Sequence, residues 1–172
     1  MSIRIEPWTD DDLPLGQALL GDPVMMEHLG GPEDPDKILK RHRRYVDAPA
    51  AFKITVDGVG AGWVGYWERE WQGEQIYEMG WSVLPGFQGR GVAFQGTMLA
   101  LEAARASAGP RVVHAFPVPG NGPSNAICRK CGFTLLGEVE FEFPKGCWAP
   151  SNDWVIHLDE RAAPAGPPLA PA

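Results

Sequence analysis

Three stretches of this chain have residue types and spacings suited to chemistry. The first is Gln88-Gly89-Arg90-Gly91-Val92-Ala93, followed after Phe94-Gln95 by the alanine- and leucine-rich helical segment GTMLALEAARA. Glycine leaves no side chain between backbone and ligand and admits positive φ, so successive amides converge on one small volume. Where such a loop opens a helix, the free N–H groups of the first turn and the positive end of the helix dipole act on that same volume. A phosphate or pyrophosphate fits there. The stretch lacks the lysine and Ser/Thr of a P-loop, and it does not spell the full dinucleotide fingerprint after a first βα strand. The competing reading is a glycine-rich turn that only joins a strand to a helix.

The second stretch is Asn121-Gly-Pro-Ser124-Asn125-Ala126, which opens a helix ending Lys130-Cys-Gly132-Phe133. The third overlaps it: Cys128-Arg-Lys-Cys131 is a CxxC, the spacing of zinc ligands and of redox thiols. Only Cys147 and one of His28, His42, His114 or His157 are left to complete a tetrahedral site. With no second CxxC and no paired histidine spacing, no metal is expected.

These residues need a scaffold. Tyr77 to Leu84 is strand-like, rich in aromatic and β-branched residues, and meets a turn at Pro85-Gly86 before the glycine loop. Upstream, Ile3-Arg4-Ile5 alternates as a short strand. Thr9 then caps a helix over TDDDLPLGQALLG, with acids in its first turn and Gly21 at its end. A second helical piece is expected from Val24 to Leu29 and a third from Asp36 to Val46. The basic run Lys37, Lys40, Arg41, Arg43 and Arg44 in the third reads as a solvated helix face. From Ala51 the period becomes two. Phe52–Val56, Trp63–Trp67 and Gln75–Leu84 read as a meander turned at Asp57-Gly58 and Gln72-Gly73. Its tryptophans, Trp63, Trp67, Trp71 and Trp81, pack the sheet or line an acceptor pocket. Beyond the glycine-loop helix come a strand at Val112–Phe116, a short helix at Asn121–Cys131, and an antiparallel pair at Phe133–Phe143 and Asp153–Leu158.

This order predicts an α/β (α+β) fold in one domain over residues 1–161: a mixed, mostly antiparallel sheet of six to seven strands with helices on both faces. Residues 162–172 are almost wholly alanine, proline and glycine and are expected to form a disordered tail. At 172 residues the chain is long enough to bury a core without staples. Its net charge of −7 and pI near 5.0 argue against nucleic acid or an anionic membrane as partner and are compatible with an amine-bearing substrate. Acidic residues within the first twelve positions do not resemble a signal peptide, and three cysteines fit no disulfide framework, so a cytoplasmic setting is the expectation.

Taken together, QGRGVA and the Asn121–Phe133 segment resemble the GCN5-related N-acetyltransferase (GNAT) superfamily, and within it the branch of ribosomal-protein and aminoglycoside N-acetyltransferases. The family's first signature is Gln or Arg, two residues, Gly, one residue, Gly or Ala, matched by Gln88, Gly91 and Ala93. Its second, in this branch, is matched by Asn121, Ser124, Gly132 and Phe133. The resemblance spans Ile3 to Leu158 in element order. It implies that the sheet splays between Gln75–Leu84 and Val112–Phe116 and that acetyl-coenzyme A (acetyl-CoA) enters the gap as cosubstrate.

Backbone of Trp81, Ser82 and Val83 would pair with the pantetheine arm as an added strand. Amides of Gln88, Gly89, Arg90, Gly91, Val92 and Ala93 would hold the pyrophosphate, with Asn121 and Ser124 on the pantetheine from the other side. An amine acceptor is mostly ammonium near neutral pH, so a base is needed, and Glu78 is the candidate. Strand alternation puts it on one face with Gly80 and Ser82. Many relatives reprotonate the thiolate with a tyrosine four residues before the Gly-Phe pair. Here that position is Cys128, which leaves the thiol, Ser124 or water as the acid. The implied activity is direct acetyl transfer to a protein N-terminus, an amino sugar or antibiotic, or a small amine, with no metal and with a homodimer left open. The alternatives are another acyl group, an O-linked acceptor, or a silent acyl-CoA-binding sensor.

Overall fold

The computed structural model describes residues 1–160, so the tail expected over 162–172 lies outside it. The elements run β1 (Ile3–Pro7), a 3-10 turn at Asp10–Asp12, α1 (Leu13–Leu20), α2 (Pro35–Asp47), β2 (Ala51–Val56), β3 (Val59–Trp71), β4 (Glu74–Val83), a 3-10 turn at Pro85–Phe87, α3 (Val92–Ala106), β5 (Val112–Ala115), α4 (Gly122–Lys130), β6 (Thr134–Glu142) and β7 (Trp148–His157). Seven strands form one sheet in the order β1-β2-β3-β4-β5-β7-β6, and every pair is antiparallel except β4 with β5.

Local chemistry sets most of this. Asp57 and Gly58 adopt φ of 50° and 83°, and Gln72 and Gly73 adopt 50° and 84°, so both hairpins close through two residues of positive φ, as the twist of paired strands requires. Those turns fix the register at Val56↔Val59 and Trp71↔Glu74. Thr9 and Asp12 form a reciprocal capping box at the entry to α1.

Four boundaries differ from expectation, the first being α3, which starts at Val92 inside the glycine loop and not at the GTMLALEAARA segment. Val24–Leu29 is a series of turns, not a helix. The Asp22 carboxylate accepts from the amides of Val24 and Met25, and Gly30 and Gly31 at φ 88° and 87° end the run before a ladder propagates. β3 extends well beyond Trp63–Trp67 at both ends, because Gly60, Gly62 and Gly65 break the visible alternation while the strand stays paired with β4 and, through one register shift at Gly60–Gly62, with β2. β7 starts at Trp148 rather than Asp153. Pro150 is tolerated there because β5 pairs β7 only as far as Trp154, so nothing on that side requires its missing N–H.

Helices cover both faces. On one, α3 and α4 pack a core of Val64, Tyr66, Tyr77, Met79, Val113 and Ala115 against Val92, Ala100, Leu101 and Cys128. α3 sits close to β2: a Cβ on Gly96 would lie 2.6 Å from Cδ1 of Ile54. On the other face α1 and α2 bury Trp8, Leu19, Ile38 and His42, with Nε1 of Trp8 donating to Nδ1 of His42 at 3.0 Å.

The sheet forks at its centre. β4 and β5 pair only at Tyr77↔Val113 and Glu78↔His114. Past that point β4 continues from Met79 to Val83 with β3 on one side and, among the described residues, no strand on the other.

Candidate active site

The open edge of β4 leads into the glycine loop. Trp81, Ser82 and Val83 pair with Val64, Trp63 and Gly62 of β3, which leaves their other side facing the fork. Nε2 of Gln88 donates to the carbonyl of Val83 at 2.9 Å and ties the loop to the strand end. Gly89 and Gly91 take φ of 70° and 77°, and a Cβ on either would meet nothing within 4 Å. These glycines are therefore required by backbone conformation and not by crowding. Gly91 is the N-cap of α3 and supplies no capping side chain. Among the described residues the six successive amides from Gly89 to Phe94 have no hydrogen-bond acceptor, and the first helical bond is donated by Gln95 to Gly91. Unpaired donors at the positive end of a fifteen-residue helix make an anion site.

Glu78 stands at the vertex of the fork. The β3–β4 register puts it on one face with Gly80, Ser82, Trp63 and Trp67, as alternation predicts. It is 8% exposed. Its Oε2 accepts from Nη1 of Arg69 at 2.8 Å and from Nε1 of Trp67 at 3.1 Å, while Oε1 has no partner among the described residues. Burial raises the pKa of this carboxyl above the usual 4.5, and the bonds from Arg69 and Trp67 oppose that rise. The result is a carboxylate more basic than a surface glutamate, held in one orientation with one oxygen free.

A family model for the acetyltransferase (GNAT) domain matches residues 2–134. The chain belongs to the GNAT acetyltransferases. No curated protein sequence matches it. Among solved structures of this GNAT fold is an acetyltransferase from Bacillus anthracis, with a TM-score of 0.79 and 19% identity over 93% of this chain and 97% of that one. A ribosomal-protein-alanine N-acetyltransferase from Brucella melitensis has a TM-score of 0.72 and 24% identity over 91% and 99%. The aminoglycoside acetyltransferase AAC(6')-Ib in complex with coenzyme A (CoA) has a TM-score of 0.73 and 17% identity over 91% and 95%.

Other residues singled out in this GNAT sequence fall into two groups. Asn121 and Ser124 stand at the start of α4, where the Asn121 side chain accepts from the Ser124 amide at 3.1 Å. Cys128 lies elsewhere: it is 0% exposed and belongs to the α3-side core. Burial first, then the neighbouring Cys131, pushes its thiol up to about 12. A thiol so placed is a packing residue and not a proton donor to a departing group. Cys131 is raised to about 12 by burial as well, whereas Cys147 is exposed. Iodoacetamide should therefore label Cys147 alone in the folded protein and Cys128 and Cys131 only after denaturation, as peptide mass spectrometry will read. Labelling of Cys128 in the folded state would contradict this placement.

Four residues outside the expected site set complete its surroundings. Arg69 reaches Glu78 from the neighbouring strand. Asn125 accepts from Nε1 of Trp154 and Nδ2 of Asn152, both at 2.8 Å, and donates to the carbonyls of Val118 and Asn121, which fixes α4 against β7. His114 and Asp153 are bonded to each other on the Glu78 face. Because Arg69 lowers the Glu78 pKa, Arg69→Met should raise it further. The acid limb of a kcat/KM profile, where protonated Glu78 is inactive, should then move to higher pH. An unmoved or downward limb would show that Glu78 is not the titrating group.

Proposed function

We propose that this GNAT protein transfers the acetyl group of acetyl-CoA to a primary amine by direct attack. The observation that carries the reading is a continuous one. An unpaired strand edge at Trp81–Val83 leads into six unpartnered amides at Gly89–Phe94, and a buried carboxylate with one free oxygen stands at the fork. The edge suits the amide-bearing pantetheine arm, and the amides suit a pyrophosphate. Asn121 and Ser124 flank the arm from α4. The ammonium gives a proton to Oε1 of Glu78, the amine attacks the thioester carbon, and a backbone N–H of the open β4 edge receives the oxyanion. The C–S bond then breaks, the nitrogen loses its second proton, and CoA leaves as the thiol.

The acceptor is a protein N-terminus, an amino sugar or a small amine. Trp63 and Trp67 beside Glu78 line the acceptor side. The second reading, a catalytically silent acyl-CoA sensor, draws on the sealed thiol of Cys128, where many relatives carry tyrosine. Thiol release from acetyl-CoA, measured over a panel of small amines, peptide N-termini and aminoglycosides, separates the two. The enzyme reading expects turnover with at least one acceptor class. CoA binding without turnover on any of them supports the sensor.

A further inference from the structure

The Glu78 face of the sheet carries a second acid–base pair that this mechanism leaves idle. His114 is the partner of Glu78 in the last residue pair before the fork, so the two side chains leave the sheet side by side on one face. Nδ1 of His114 lies 2.5 Å from Oδ1 of Asp153, and the two residues are 6% and 2% exposed. The other carboxylate oxygen accepts from Nε1 of Trp71 at 3.1 Å. With the carboxylate acting as acceptor at both oxygens, the proton of this contact sits on Nδ1, and Nε2 carries the lone pair.

The ring is held in place, because Phe116 stacks on it at 5.7 Å and in turn stacks on Phe141 at 4.2 Å. Nε2 has no hydrogen-bond partner among the described residues, and the side chain keeps 7% of its surface exposed. The charged groups on the imidazole's face of the sheet are Asp153 from β7, Glu78 from β4 and Arg69 from β3, which bonds Glu78 and lies over Phe141 of β6 at 4.5 Å.

Acetylating an ammonium removes two protons from nitrogen, one before attack and one after the C–N bond has formed. Glu78 has a free oxygen for the first. The second must reach the departing sulfur, and the thiol of Cys128 is sealed in the core on the α3 side. We propose that His114, held by Asp153, takes the second proton from the nitrogen of the tetrahedral intermediate at Nε2 and delivers it to the CoA sulfur as the C–S bond breaks. The step balances. The C–N bond has formed, the C–S electron pair leaves on sulfur, the nitrogen's proton passes through the imidazole to that sulfur, and the ring returns neutral. The proton on Glu78 goes to solvent. Asp153 is a positioning residue that fixes the tautomer.

This assignment rests on the transferase reading, and its test separates the two. With full-length protein and an amine that the wild type acetylates, His114→Gln should lower kcat by about 100-fold with KM for acetyl-CoA little changed. Free imidazole should restore part of the rate to His114→Ala, which a merely structural histidine would not allow. Asp153→Asn should lower kcat and displace the Nδ1–H tautomer that ¹⁵N spectra of the wild-type imidazole are expected to show. A wild-type Nε2–H tautomer, or full kcat in His114→Gln, overturns the role of His114 alone. If the wild type binds CoA and acetylates no amine, the transferase reading falls and this proposal falls with it.

Discussion

Glu78→Gln is expected to lower kcat by about 100-fold or more, the usual worth of a positioned proton acceptor, while the fold and CoA binding stay as they are. Glutamine has the same shape, and its carbonyl oxygen still accepts from Arg69 and Trp67, so the packing at the fork is preserved. What disappears is the capacity to hold a proton at the free oxygen. Steady-state kinetics at saturating acetyl-CoA and acceptor give the answer, and near-wild-type kcat would sink the assignment. The wild-type acid limb should lie above 4.5, because burial is the largest influence on this carboxyl and it favours the neutral form. Activity is therefore lost as pH falls through that raised value.

The second large effect is structural and acts on the donor side. Gly62→Ala places a Cβ 2.3 Å from the backbone oxygen of Ser82 and 3.0 Å from Cα of Val83. Those atoms belong to β4, paired with Gly62 at Val83, so no flexible side chain is available to move aside. Overpacking of this kind costs about 1–3 kcal/mol and more where backbone must shift. The displaced segment is the edge proposed above for pantetheine, so CoA affinity should fall about tenfold for each ~1.4 kcal/mol that the shift removes. Gly86→Ala is the control: it lies in the 3-10 turn just after the same strand, has no positive φ and would meet nothing within 4 Å. Thermal melts and calorimetry on both variants test this. Wild-type stability and affinity in Gly62→Ala would show that β4 yields freely there.

Features set by neighbours in the chain are legible in the residues themselves. The paired positive-φ turns at Asp57-Gly58 and Gln72-Gly73 and the face shared by Glu78, Gly80 and Ser82 follow from local residue chemistry. Features set across the chain are not. The helix expected at Val24–Leu29 loses to the Asp22 side chain, which captures the amides a first turn would need. The length of β3 is hidden by its glycines, whose pairing with β2 and β4 depends on register. The bonds that complete the candidate site join residues far apart in sequence: 39 positions separate His114 from Asp153, and 29 separate Asn125 from Trp154. Arg69 reaches Glu78 only because the hairpin at Gln72-Gly73 fixes β3 against β4. Cys128 shows the converse, since the position that the family resemblance offered as an acid is buried in the core once α4 is docked.

The most direct test of the central claim is a calorimetric titration of CoA into the purified full-length chain. A saturable site of one CoA per chain, from which acetyl-CoA displaces it, is the predicted result. A chain that binds neither would contradict the assignment of the Gly89–Phe94 amides and the β4 edge to a CoA thioester.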